Sequence, residues 1–402
     1  MNIVNLVRWG QLKGINVIGT GDFTHPRWFE ELKEKLEPSE PGLYKLKSEF
    51  EEAIQAQVPQ KCQQPMRFIL SVEISCIYKK NDRVRKMHCL LFAPSFKVAE
   101  KINHELSKIG NIKSDGRPII GLDAKKLFQL ALNASPDCMF IPAHIWTPWF
   151  AVFGSKSGFD SLKEAFDELA PKITALETGL SSDPAMNWRV SNNDKYALVS
   201  NSDAHSPGKL GREANVFNTE LSYFAIKNAL EKNDLKTFES TIEFFPQEGK
   251  YHLDGHRACN LRMEPAETKK LNAVCPKCHK KLTIGTLHRI SDIADRKPGI
   301  KPKNSRPYKS IIPLPELISE IKNVGVNSKT VQKYYHDTLN GLGNEFYILL
   351  KAPIAEITKC SGKELANTID KMRKEDVYID PGYDGEFGTI AVSNKKKAKK
   401  SK

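Results

Sequence analysis

Tyr196-Ala197-Leu198-Val199-Ser200 runs into Asn201-Ser202-Asp203-Ala204-His205, and Ile15-Asn16-Val17-Ile18 runs into Gly19-Thr20-Gly21-Asp22-Phe23-Thr24-His25. Each stretch delivers a carboxylate and an imidazole where an apolar, β-prone run gives way to small and polar residues. Strand ends that open into loops are where parallel α/β folds collect chemical groups, because the strand fixes position and the loop gives access. The pattern predicts an α/β fold with its functional residues on one rim, and carboxylate plus imidazole points to a divalent metal centre.

Further strands are predicted at 67–78, 87–93, 138–145, 173–178 and 214–217, with amphipathic helices at 27–36, 98–109, 124–133, 158–169 and 222–231 between them. This rhythm is that of a barrel or a wound sheet. After Pro246 the sequence turns short, polar and rich in cysteine and histidine. A Lys/Pro-rich link follows at 296–307, and from Pro313 the spacing is helical, at 314–321, 328–339, 355–360 and 362–373. Domains are therefore expected at 1–245, 246–300 and 301–390, the last helical and DNA-binding, with a disordered basic tail at 391–402.

Charge follows the same division. Residues 1–250 carry 32 basic and 31 acidic side chains, whereas residues 251–402 carry 29 and 17, so nearly all of the net +13 is carboxy-terminal. Six of those lysines lie in the unpatterned tail. The remaining excess suits a polyanion such as DNA, with Arg257, Lys277, Lys280, Lys281, Arg289, Lys301, Lys303 and Arg306 as candidate phosphate contacts. No apolar run is long enough to cross a bilayer and the amino end lacks the pattern of a signal peptide, which gives a cytoplasmic, nucleoid-associated expectation with no membrane partner.

Five of the eight cysteines are scattered, and Cys259, Cys275 and Cys278 cluster. His256-x2-Cys259 and Cys275-x2-Cys278 are two close pairs fifteen residues apart, the form of a tetrahedral structural zinc site. His252 is the rival fourth ligand, and His279 and His288 are less well spaced. Zinc here supplies folding energy that a short polar segment cannot draw from a core of its own.

Asp22, Glu73, His88, His144 and Asp203-Ala204-His205, all at expected strand ends, form an order that resembles the polymerase and histidinol phosphatase (PHP) family, metal-dependent phosphoesterases with a distorted (β/α)7 barrel. Residues 18–26, 144–150, 177–183, 200–205, 251–257 and 341–352 are similar to endonuclease Q, over nearly the whole chain. The resemblance implies metal ligation by Asp22, Glu73, His88, His144, Asp203 and His205, with Glu73 bridging two of two or three divalent ions (zinc, manganese or magnesium). His25 and Glu177 either position substrate or support the ligands. One departure stands out: the family begins on a strand carrying His-x-His, and nothing of that kind precedes Asn2. The expectation is a barrel without its first strand and weak or no catalysis, either because the coding sequence starts upstream, the reading we prefer, or because the protein is a decayed form.

The activity implied is incision of a DNA strand 5′ to deoxyuridine, deoxyinosine, deoxyxanthosine or an abasic site, with Asp203, Glu73 and His205 at the reaction. Such lesions pair poorly and are cheap to evert. Trp146, Trp149 and Phe150 follow a ligand directly and are candidate walls for the everted nucleotide, beside His25 and Glu177. The expected partners are double- and single-stranded DNA bound by a monomer, and the resemblance implies association with the replication sliding clamp, although the last twenty residues carry no clamp-binding motif. A phosphatase of a small phosphate monoester and a noncatalytic damaged-DNA binder are the alternatives.

Overall fold

The computed structural model describes residues 2–114 and 116–392. The first helix, Ile3–Lys13, starts where the Asn2 side chain accepts the Asn5 amide and stops at Gly14, whose left-handed φ of 87° turns the chain away. Strands then follow in the order β1 (Val17–Gly19), β2 (Leu36–Pro38), β3 (Tyr44–Leu46), β4 (Arg67–Lys80), β5 (Arg83–Ala93), β6 (Ile119–Ile120), β7 (Met139–Pro142), β8 (Ala175–Glu177), β9 (Ala197–Val199), β10 (Ala214–Phe217) and β11 (Phe238–Glu243). The covering helices Phe96–Ser107, Ala124–Ala134 and Tyr223–Lys232 are capped by Ser95, Asp123 and Ser222, and each buries one apolar face. The expected helix at 158–169 is cut short at Phe166, where a 3-10 turn containing Pro171 takes over.

The long β4–β5 hairpin is the frame of the fold. Its antiparallel register pairs Glu73 with Leu90 and Ser75 with His88, so the period of two sets Glu73 and His88 on one face as diagonal neighbours. β1 joins β4 in parallel, β7 joins β5 antiparallel, and the Thr174 amide hands the order on to β8 through Phe140 O. β8 and β9 are parallel. Between β9 and β10 the Asn215 side chain substitutes for a strand: its Oδ1 accepts from Ser200 N at 2.8 Å and its Nδ2 donates to Ser200 O at 3.0 Å. β10 pairs antiparallel with β11. The strands thus surround one cavity of about 1480 Å3, and among the described residues β1 pairs only with β4 and β10 only with β11.

The carboxy-terminal part is less purely helical than its periodicity predicts. β12 (Asp254–His256) and β13 (Leu261–Met263) form a small ribbon in the cysteine-rich segment. β14 (Tyr308–Ser310), inside the expected helical domain, instead adds in parallel to β11. Four helices follow, Leu314–Lys322, Lys329–Leu342, Ile354–Ser361 and Lys363–Arg373. The region closes on a hairpin, β15 (Tyr378–Asp380) and β16 (Thr389–Ala391), that folds back on the cysteine-rich segment. Three-residue strands around a glycine-rich turn carry no period to read, which is why this hairpin escapes the helical expectation. The basic tail expected at 391–402 lies, from residue 393, outside the described residues. No helix among the described residues is long and apolar enough to cross a membrane.

Candidate active site

Three of the residues singled out at strand ends share an unusual backbone. Asp22, His144 and Asp203 have φ of 40°, 29° and 44°, a region that costs a non-glycine residue roughly 1–2 kcal/mol. Each lies a few residues past its strand, after β1, β7 and β9, and each lines the cavity. Strain of this kind persists where the surrounding structure imposes it, and it concentrates where function needs a side chain re-aimed. At His144 the imposing contact is visible. Gly179, itself at φ 60°, passes so close that a Cβ there would stand 2.6 Å from His144 Cβ.

Glu73 is the hub. Its Oε1 stands 3.1 Å from His88 Nδ1 and 3.3 Å from His144 Nε2, and those two ring nitrogens are 3.0 Å apart. Its Oε2 accepts from Arg117 Nη2 at 2.6 Å, and Arg117 also reaches His88 Nε2 at 3.4 Å and Asp203 Oδ1 at 4.0 Å. Burial disfavours the Glu73 charge, but the two imidazoles and the guanidinium outweigh it and hold the carboxyl far below its ordinary range. Burial lowers the His88 pKa, whereas His144, also desolvated, is pulled up by the carboxylates of Glu73, Glu177 and Asp203. Arg117 was not foreseen from the sequence. An arginine in a Gly-Arg-Pro loop carries no spacing signal, and only its packing brings it into the site.

The donors fit a divalent cation. Glu73, His88 and His144 each place a ligand atom within 4.8 Å of the others, and Glu73 Oε1 has no well-directed hydrogen bond of its own. Asp22, Asp203 and His205 line the same cavity without joining that cluster, so the expected six-residue set assembles only in part. Burial raises the Asp22 pKa, with Arg117 opposing. His205 is largely exposed and turns its Nδ1 to Asp203 O at 3.0 Å. His25 serves the backbone: its Nδ1 accepts from the Trp28 amide at the start of helix Pro26–Lys35, while its side chain borders the cavity.

Glu177 supports the site from behind. Its Oε2 accepts from the His144 amide and its Oε1 from Asn201 Nδ2, both at 2.7 Å, which leaves the buried carboxyl, with a pKa raised to about 7 by desolvation, facing protein groups. Of the two roles expected for Glu177, positioning substrate or supporting the ligands, its contacts here are those of the second, since it holds the backbone of the candidate ligand His144. Trp146 also departs from expectation. It is wholly buried, its Nε1 donates to Asn187 Oδ1 at 2.7 Å and its ring packs on Phe153, so it is core and cannot wall a nucleotide. Phe150 covers His88 at 4.6 Å between centroids, and Trp149 is half exposed with its edge to Tyr251.

The second centre is complete. His256, Cys259, Cys275 and Cys278 bring their donor atoms within 4.8 Å of one another, with Cys278 Sγ 3.2 Å from His256 Nδ1. Burial works against the Cys275 thiolate, but the amides of Lys277 and Cys278 and the His256 ring lower its pKa to about 6. One imidazole and three sulfurs of this kind fit tetrahedral zinc. His252, the rival ligand, is buried away from the cluster with its pKa pushed down to about 4 by desolvation. Two of the expected phosphate contacts are structural: Arg289 donates to Phe153 O, Phe159 O and Asp160, and buried Arg306 donates to Phe238 O.

The comparisons agree with this picture. A family model described as the MJ0043 C-terminal domain matches residues 313–376. The uncharacterized protein MJ0043 of Methanocaldococcus jannaschii is 34% identical over 290 residues, 69% of this chain but 36% of that protein, so the chain spans about a third of that relative's length. The uncharacterized protein YqxK of Bacillus subtilis is 30% identical over 314 residues, covering 76% of this chain and 73% of that protein. The crystal structure of the lesion-specific endonuclease PfuEndoQ from Pyrococcus furiosus matches with a TM-score of 0.83 and 28% identity, over 98% of this chain and 91% of the other. An endonuclease Q complex with a 27-mer duplex bearing an abasic lesion at the active site matches at 0.81, again 28% identical, over 98% and 92%. A likeness that spans both candidate metal clusters and the helices beyond them, rather than the α/β part alone, places this chain in the endonuclease Q family.

Proposed function

We propose that this chain is a metal-dependent DNA repair endonuclease, built on a PHP-type barrel, that cuts the phosphodiester 5′ to a deaminated base or an abasic site. The observation that carries the reading is the meeting of Glu73, His88 and His144 beside a cavity that Glu73, His144, Asp22 and Asp203 line. The PfuEndoQ relative is lesion-specific, and the endonuclease Q complex holds its abasic lesion at the active site.

Cations bound at such a cluster supply hydroxide near neutral pH and stabilise charge on the phosphate and the leaving oxygen. Glu73 and the two imidazoles would hold them, with Asp22 and Asp203 as the nearest further carboxylates. Arg117, already paired to Glu73, brings the only guanidinium among the described cavity-lining residues to where a phosphate arrives. Glu177 and Gly179 keep His144 aimed. The cavity, at about 1480 Å3, exceeds the roughly 300–1,000 Å3 typical of a small-molecule site and has room for a nucleotide with its neighbours. The cysteine-rich cluster would carry structural zinc.

A labelled duplex holding one deoxyuridine or one abasic site, incubated with manganese or magnesium, tests the reading. A single nick 5′ to the lesion, at the low rate that the sequence reading expects, is the supporting outcome. Binding without a nick would favour a noncatalytic damage binder, and hydrolysis of a small phosphate monoester without either would favour the phosphatase.

A further inference from the structure

Phe387 is the most exposed large apolar side chain among the described residues, at 70%. It stands on the turn between β15 and β16, and that turn is anything but loose. The Gly382 amide donates to Gln247 O, the Gly388 amide to Glu248 O and the Gly385 amide to Lys250 O, all within 3.0 Å. Asp384 accepts from the Thr283 hydroxyl at 2.5 Å and from the Arg257 amide at 2.6 Å. Gly388 lies so close to the 246–250 turn that a Cβ would stand 2.2 Å from Gln247 O. A phenyl ring held in water on a frame this rigid is preorganised to meet something flat and apolar.

The surroundings say what. Lys250 Nζ lies 4.5 Å over the Phe387 ring, and a Cβ built on Gly385 of the same turn would stand 3.6 Å from Arg257 Nη1. An aromatic face flanked by cations is the chemistry that takes a nucleobase and the phosphates beside it. The patch is also continuous with the site. Tyr251, next to Lys250, sets its ring 6.2 Å from Trp149; Trp149 O accepts from the Thr147 hydroxyl; that hydroxyl is 3.0 Å from His144 Nδ1.

We infer that Phe387 is a wedge that enters the base stack of duplex DNA beside the lesion, with Lys250 and Arg257 on the flanking phosphates, so that the everted nucleotide leaves a gap the ring fills. Apolar wedges of this kind pay for unstacking by replacing the lost base contact. The inference rests on the nuclease reading above and names the element that adapts it to duplex substrate.

The test uses the whole chain and two variants, Phe387→Ala and Phe387→Trp, each checked for unchanged zinc content and melting temperature. Phe387→Ala is expected to lower incision of a deoxyuridine in duplex DNA by about tenfold or more, the worth of one base–aromatic stack, while incision of the same lesion in single-stranded DNA stays within about twofold. The fluorescence rise of 2-aminopurine placed beside the lesion, which needs no incision, should fall with it, and Phe387→Trp should restore both. Equal losses on duplex and single strand, or no loss on either, overturn the wedge. If Phe387→Ala leaves duplex incision and 2-aminopurine intact but abolishes a concentration-dependent sedimentation shift, the ring is a contact between copies and the wedge is likewise overturned. A wild-type chain that neither nicks nor unstacks the lesion duplex removes the nuclease reading itself, and the wedge with it.

Discussion

Lys13 Nζ lies 2.6 Å from Glu345 Oε2, with the two side chains only 2% and 3% exposed, so a buried ion pair joins the first helix to the carboxy-terminal helices. Glu345 is otherwise fully engaged: Tyr335 donates its hydroxyl to Oε2 at 2.8 Å and the Leu314 amide donates to Oε1 at 3.0 Å. The Lys13 ammonium also lies over the rings of Trp9 and Tyr335. Removing the cation strands a buried carboxylate, so Lys13→Met is expected to cost about 3–5 kcal/mol, read as a shift of the urea midpoint. Lys13→Met with Glu345→Leu should recover only part of this, because Tyr335 and Leu314 lose their acceptor. A midpoint unmoved by the single change would show that the pair contributes nothing.

Glu73 is the residue on which both imidazoles and Arg117 converge. Glu73→Gln keeps the shape and removes the charge, and should lower incision by about 100-fold or more, the upper end of what disturbing a metal's partners costs. Calorimetric titration with manganese should show weakened binding in the same variant. Unchanged metal affinity would separate Glu73 from any cation.

Gly179→Ala combines a strained φ with a collision against His144. A displacement of His144 by about an ångström is expected to lower incision on the order of 100-fold while the fold survives. Gly299, at φ 86° with nothing within 4 Å of a built Cβ, is the control: Gly299→Ala bears the strain without the collision and should leave incision unchanged.

Cys275→Ser should release one equivalent of zinc per chain, measured by elemental analysis, and open residues 251–290 to protease, because the ribbon of β12 and β13 has little core beneath it. Full zinc content in that variant would remove the site. Chelation of the wild-type protein should have the same effect on the segment.

Glu243 is fully buried and accepts from the Thr178, Ser200 and Thr241 hydroxyls; burial pushes its pKa up to about 8, and that of Glu177 to about 7. Carboxyls raised in the folded state hold protons that the unfolded chain releases near its ordinary value. Their stabilisation is therefore complete below about pH 4.5 and is lost as pH rises towards 8. The melting temperature should fall across that interval, and Glu243→Gln, which does not titrate, should flatten the fall. A melting temperature that rises from pH 5 to 8 in the wild type and is unaffected by the substitution would contradict this.

Local sequence determined where the strands end and which ligand-type residues stand there. Short continuous apolar runs stop at Gly19, Pro142 and Val199, and the groups that follow, Asp22, His144 and Asp203, are placed by the strand before them. The cluster of His256, Cys259, Cys275 and Cys278 was legible for a similar reason, since two short-spaced pairs need only one approach to close. What tertiary structure decided is which of these groups meet, and which face protein instead. Glu177 turned to the His144 amide, Trp146 went into the core, His205 stayed in solvent, and Arg117 came in from a loop without any pattern. Those outcomes depend on contacts between strands far apart in the chain, and hydrophobic periodicity carries information only about neighbours a few residues away.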